Sequence, residues 1–292
     1  MKKKSSLKHT GAFWAFCAPC CILFGVFFLV PLVLSIAFSF TNYDGWKTID
    51  FVGLTNYITL FKDSKFYLSL GRTLLYTVCT LPFRVIIPLL VAVLLCSKRV
   101  AGKSLTRTMV YIPVLMSALV VGITINWMFS QEYGLINFII QSFGGTALEW
   151  SLNPRLATFV IAFASVWASI GFNMILYIGG INSISNDLYE AATIDGASGV
   201  QAFFRITVPM LAPTTFMVVL LSTVNLLKEY ALVQGITQGG PGLSTTFIIQ
   251  YIFDKGFNQM QYGYASAIST VVMIIFALIA FAQFKVNNGG ET

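Results

Sequence analysis

Charge is what this sequence has least of. Asp, Glu, Lys and Arg make up 10% of its 292 residues, against about a quarter in an ordinary water-soluble domain. Histidine occurs once, as His9 in a basic tail, which leaves little material for a histidine metal site or a Ser-His-Asp triad. The five cysteines, Cys17, Cys20, Cys21, Cys79 and Cys96, all fall within or at the end of apolar runs. Disulfides are of no use there, so the CxxC spacing of Cys17 and Cys20 reads as free thiols rather than a redox or zinc motif. Ala101-Gly102-Lys103-Ser104 ends like a phosphate-binding loop, but Ser97 stands where its first glycine belongs and an apolar run, not a strand, precedes it. Carboxylates inside the apolar runs are also scarce. Glu229 is the main one, and a single acid does not make a proton relay. No paired-acid or Ser/Lys constellation lies in the runs, so a membrane-embedded hydrolase and a proton-coupled carrier both lack their parts.

What the chain has instead is apolar length: 57% hydrophobic residues and a mean hydropathy of +0.79. Six runs are legible, at roughly 12–40, 67–97, 107–129, 156–182, 210–234 and 261–286, each longer than the ~20 residues a membrane-spanning helix needs. The first exceeds the 7–15 residues of a signal-peptide core and reads as a retained span. Backbone in a bilayer must satisfy its own hydrogen bonds, so helices are expected, and the ~10-residue alternation of a membrane barrel is missing. Pro19, Pro31, Pro82, Pro88 and Pro113 lie inside runs and predict kinks.

The net charge of +7 is segregated by position and not spread as a nucleic-acid surface. Lys2, Lys3, Lys4 and Lys8 precede the first run, and Lys98, Arg99, Lys103 and Arg107 cluster between the second and third. With Arg205 and Lys285 these make ten basic residues on one side, against Lys47, Lys62, Lys65, Arg155 and Lys255 on the other. By the positive-inside rule both termini are expected in the cytoplasm.

The inner segment 183–209 is acid-bearing and punctuated by glycine. Ser185, Asn186 and Asp187 supply an N-cap and a first-turn charge for a short helix from Leu188 to about Asp195. Gly196 and Gly199 permit a sharp turn, and a second amphipathic helix is expected from Gln201 to Val208, with Pro209 opening the next span. Such a pair suits docking to another protein, or is an ordinary surface loop.

Glu190-Ala191-Ala192, Gly196 and Ile206 to Pro209 resemble the EAA loop of bacterial ABC importer permeases. PLVLSIAFSFTNYDGW, FVGLTNYITLF (Phe51 to Phe61) and TQGGPGLSTTFIIQYIF (Thr237 to Phe253) resemble segments of the maltose- or glycerol-phosphate-permease type, in the same order along the chain. The resemblance implies an all-α membrane protein of the type I ABC importer transmembrane class, with six transmembrane helices and a cytoplasmic coupling loop of two short helices. It divides the chain into a tail, first helix and outer segment (1–66), a permease core (67–286) and a short cytoplasmic tail (287–292). It implies a bacterial cell-membrane location and a binding-protein-dependent sugar importer, most simply for oligosaccharides. The expected partners are a second, related permease subunit, two copies of a cytoplasmic ATPase that bind ATP and Mg²⁺, and an extracytoplasmic sugar-binding protein; this chain itself would carry no cofactor and no metal. Glu190, Ala191, Ala192, Asp195, Gly196, Phe204 and Pro209 would form the ATPase-coupling set, as orienting groups and not catalysts.

Sugar sites combine hydrogen-bonding side chains with flat aromatic faces, and polar groups within spans tend to face a pathway or glue helices together. Ser165, Ser169, Phe172 and Asn173 recur at spacings of three and four and can share a face of the fourth span. Ser222, Asn225 and Glu229 do so on the fifth. Read without gaps from the EAA loop, Ser169, Phe172, Ser222, Asn225 and Glu229 fall where maltose-type permeases line their sugar cavity. Asn126 and Trp127 are weaker candidates. Arg84, mid-span between Pro82 and Pro88, needs protein or water around it, and Glu229 is one conceivable partner.

Overall fold

The computed structural model describes residues 5–46, 49–97 and 102–288, apart from the side chains of 5–13 and 287–288. Lys2 to Lys4, Lys47, Lys98, Arg99, Ala101 and residues 289–292 lie outside the described residues, as do the side chains of Lys8 and His9. Among the described residues all regular structure is helical, and the one extended pairing is an isolated antiparallel bridge between Thr41 and Phe51.

Helix α1 (Ser5–Phe24) runs through a wide π-turn at Gly25–Leu29 into α2 (Val30–Phe38). After α3 (Thr55–Lys62) comes α4 (Ser64–Cys96), then α5 (Lys103–Leu115), α6 (Ala118–Met128) and α7 (Leu135–Ser142). The long α8 (Pro154–Asn182) leads to α9 (Asn186–Ile194), α10 (Gly199–Ala202), α11 (Val208–Met210) and α12 (Ala212–Leu227). The chain closes with α13 (Ala231–Ile236), α14 (Ile248–Phe253) and α15 (Tyr262–Asn288). Among the described residues four helices are long and apolar enough to cross a membrane, and up to six spans result if each of two bent pairs counts as one.

The bent pairs correct two expectations. The run 107–129 is not one straight span: α5 and α6 meet at 101°. Pro113 lies in the last turn of α5, Met116 after it is extended, and Ser117 opens α6 from a non-helical conformation. The run 210–234 is broken as well. It bends by 66° at Leu211, where Pro213 at the start of α12 has no N–H to continue the ladder. It then ends at Lys228, before the separate α13. Hydropathy registers how apolar such a run is and is blind to its direction.

The chain forms two compact units, Met1–Ser64 with Ile252–Ile275, and Lys65–Tyr251 with Phe276–Thr292. In the first, the Asn56 side chain donates to the carbonyls of Ser39 (2.9 Å) and Thr41 (2.8 Å), groups left unpaired where α2 ends. The neighbouring Tyr57 hydroxyl meets Ser39 Oγ at 2.7 Å, which gives the TNY of the outer segment its local purpose. In the second unit, α6 and α13 cross on two glycines. A Cβ on Gly122 would lie 3.0 Å from Gly235 Cα, and one on Gly235 2.8 Å from the Leu119 carbonyl. Gly171 brings α8 equally close to α5, 2.7 Å from the Val110 carbonyl by the same construction. In a bilayer, where lipid is as apolar as leucine, such close backbone approach is a main source of helix association. One buried cluster gathers Tyr76, Val121, Phe129, Trp150, Ile161 and Phe247, and another Ala92, Met174, Tyr177, Leu211 and Val218.

Candidate functional site

The loop between α8 and α12 is built by capping. Ser185 Oγ accepts from the Asp187 N–H and starts α9. At the other end the Ala197 N–H reaches the Ala192 carbonyl at 2.8 Å, and the Gly196 N–H reaches that of Thr193 at 3.1 Å. This pair of bonds is a Schellman motif, and its C′ residue needs positive φ. Gly196 supplies it at φ +76°. The interval from Ala192 to Gly196 is therefore a structural rule: the last alanine of the EAA triplet offers the carbonyl that the turn after Gly196 closes on.

The second helix corrects the expected one in bounds and in cause. It starts at Gly199, because Ser198 and Gln201 form a capping box (Ser198 N–H to Gln201 Oε1, 2.7 Å). Gly199 is thus the first helical residue and not part of the turn. The helix widens into a π-turn at Phe203–Thr207, carries on through Pro209 to Met210, and breaks at Leu211. The Ser-x-x-Gln signature was the sequence signal for this start. A second contact was not readable from spacing: Tyr189 Oη lies 2.9 Å from Thr207 Oγ1 and ties the two helices together.

Glu190, Ala191, Asp195, Gly196, Phe204 and Pro209 are exposed, with Ala192 half-buried. Large apolar side chains stand beside them in the open: Ile194 is 87% exposed, Val200 67% and Phe204 64%. Exposed apolar groups clustered on one loop mark an interaction surface.

The seven span residues separate into two sets. Ser165, Asn173, Ser222 and Glu229 are buried within the chain, Ser169 is half-buried, and Phe172 and Asn225 are exposed. The buried set is an interhelical network around Arg84. The Arg84 Nε and Nη2 both donate to the Ser165 carbonyl, at 3.2 and 3.0 Å. Asn173 Nδ2 donates to the Arg84 carbonyl at 2.9 Å and to Ser222 Oγ at 3.2 Å. The first of these has a specific cause. In α4 the Arg84 carbonyl would normally accept from residue 88, which is Pro88 and has no N–H. Asn173 therefore satisfies the carbonyl that the proline orphans, and with Ser222 it reads as glue between α4, α8 and α12.

Glu229 is not one turn beyond Asn225 on a continuous helix, since α12 has already ended. It sits in the break before α13, where Oε1 accepts from the Leu232 N–H at 3.4 Å. The Arg84 guanidinium's hydrogen bonds go to the Ser165 carbonyl and not to the Glu229 carboxylate. The hydroxyls of Tyr76 and Ser165 are buried nearby. Phe172 and Asn225 are the residues of the predicted path that this chain leaves uncovered, with Ser169 partly so. In the third span Trp127 is exposed and Asn126 half-buried.

Residues 51–288 match the model of the family described as binding-protein-dependent transport system inner membrane component. The chain belongs to that family. This permease is 32% identical to the arabinooligosaccharides transport system permease protein AraP of Bacillus subtilis over 94% of its own length and 88% of the relative's. It is also 32% identical to the probable ABC transporter permease protein YesP of the same organism, over 99% of its own length and 94% of the relative's. Its fold matches a chain from the crystal structure of a bacterial ABC transporter involved in import of the acidic polysaccharide alginate. The TM-score is 0.84, with 97% of both chains covered at 23% identity. The permease is accordingly a multi-pass membrane transport component of the type I importer fold, and not an enzyme.

Proposed function

We propose that this permease forms one half of the translocation pathway of an ATP-driven carbohydrate importer. It would pair with a second, related permease subunit and dock two copies of a cytoplasmic ATPase through the α9–α10 loop. The observation that carries the coupling role is the apolar surface of that loop, with Ile194, Val200 and Phe204 open beside Glu190 and Asp195. The carbohydrate class is supported by the relatives, AraP being named for arabinooligosaccharides, and oligosaccharides are the size class proposed. Positive-inside charge supports a cell-membrane topology with both termini and the loop cytoplasmic. An extracytoplasmic sugar-binding protein would deliver substrate from the opposite side.

In this reading ATP and Mg²⁺ are held by the ATPase subunits, whose closure moves the coupling loops as levers. The capped turn at Gly196 and the Tyr189–Thr207 contact make α9 and the following helix a unit that passes on displacement without absorbing it. The bend at Leu211 joins that unit to α12, and the spans reorient as rigid bodies. Sugar would pass along the face that carries Phe172, Asn225 and Ser169, completed by the second permease. Ser165, Asn173, Ser222 and Glu229 hold that face in shape from behind.

The test is purification of the complex through a tag on this chain. Recovery of a second permease and an ATPase, with ATP hydrolysis stimulated by one sugar-loaded binding protein, is the expected result. A fully active homo-oligomer of this chain would overturn the heterodimer. Uptake that survives depletion of ATP and follows an ion gradient would overturn the ATP-driven reading.

A further inference from the structure

An apolar cavity of about 720 Å³ opens along α4 and α8 in the second unit. None of the predicted sugar-path residues lines it. Its walls include Leu75, Phe83, Phe159 and Phe163, all exposed. Among the described residues Arg72 and Arg155 are its only charged lining residues, and both stand near the N-terminal ends of their helices. The Arg72 guanidinium donates to the Leu243 carbonyl, and Arg155 is exposed.

The groove is at least as deep as the hydrocarbon of one leaflet. From Arg72 the groove follows α4 to Ile87 and from Pro154 it follows α8 to Val166, which at 1.5 Å per residue is roughly 22 Å and 18 Å. One leaflet supplies about 15 Å of hydrocarbon, half of the ~30 Å core. Helix α4 has 33 residues, so it is about 50 Å long and overruns that core by roughly 10 Å at each end. Arg72, about 12 Å in from the helix start, therefore lies near the boundary between headgroups and hydrocarbon. Two guanidiniums at that level, with no carboxylate among the described residues of the groove wall, call for an anion. The trough beneath offers almost nothing to a sugar and suits an alkyl chain.

We infer that this groove is a binding site for one anionic phospholipid. Its phosphate lies between Arg72 and Arg155, and one acyl chain lies against Leu75, Phe83, Phe159 and Phe163. In the topology proposed above, on which the leaflet assignment rests, the lipid belongs to the outer leaflet. It would fill the space between α4 and α8, the two helices that carry Arg84 and Asn173.

Native mass spectrometry of the complex purified through this chain, delipidated and then given dioleoyl phosphatidylglycerol or dioleoyl phosphatidylcholine, tests the inference. The expected result is one phosphatidylglycerol retained in preference to phosphatidylcholine. Arg155→Ala should weaken retention about fivefold, the effect of one basic side chain near a charged lipid surface, while Arg155→Lys keeps most of it. Ala162→Trp, which fills the trough and leaves both arginines in place, should abolish retention. Equal retention of the two lipids, or no change in either loss variant, would overturn the site. So would oxidative cross-linking of the groove residue Cys79 to the second permease, since the groove would then be a subunit interface. Lipid retention is read on this chain whether or not an ATPase is recovered with it, so failure of the importer reading and failure of the lipid site give different results.

Discussion

Gly196 allows a sharp test of the coupling loop. It holds φ at +76°, and a Cβ added there would meet nothing within 4 Å. The cost of a side chain is therefore one of backbone conformation and not of space. An L-residue in the left-handed region costs roughly 1–2 kcal/mol, and a β-branched one more. Replacing Gly196 by Ala should lower the population of the capped turn about 5–30-fold relative to its alternatives. The apparent affinity of the ATPase for the loop falls with the competent fraction, so docking should weaken by up to that factor, the full amount being reached once the capped turn is the minority state. Gly196→Val should abolish substrate-stimulated ATP hydrolysis and uptake while the chain still inserts. Gly196→Asn is the discriminating variant, because asparagine tolerates left-handed backbone and keeps most of the Schellman geometry. The measurement is ATPase affinity for the permease pair in detergent, beside uptake in vesicles. The order Gly, Asn, Ala, Val is expected. Full uptake by the Val variant would refute the coupling role, and an Asn variant as impaired as Val would refute the conformational account.

Asn173→Leu should lower thermal stability of the purified complex by ~1–3 kcal/mol, the cost of leaving buried partners unpaired, because the Arg84 carbonyl and Ser222 Oγ both lose their donor; unchanged melting would remove the network argument. Phe172→Ala and Asn225→Ala should each cut sugar uptake several-fold with assembly and nucleotide binding intact, and normal transport by both would withdraw them from the pathway. Gly122→Val should prevent α6 and α13 from meeting and sharply reduce the yield of assembled complex, since the added side chain starts 3.0 Å from Gly235 Cα; a normal yield would show that the crossing relaxes at little cost.

The sequence alone determined the class of this protein and the place of the loop proposed to couple it to an ATPase. Composition decided the class, because a bilayer selects strongly for apolar length and internally bonded backbone, and that selection is written in every run. The loop was legible because its signals are local: Ser185 caps α9, and Gly196 stands four residues after Ala192 where the Schellman turn requires it. Only the tertiary structure decided which polar residues in the spans face outward. Spacing put Ser165, Ser169, Phe172 and Asn173 near one another on α8, yet Ser165 lies buried under Arg84 and Asn173 bonds to α4 and α12, while Phe172 stays open. Helical period states which residues share a face, but whether a face is covered depends on neighbours remote in sequence. The bends at Met116–Ser117 and Leu211 set where those neighbours run, and a bend leaves the average hydropathy of a run unchanged.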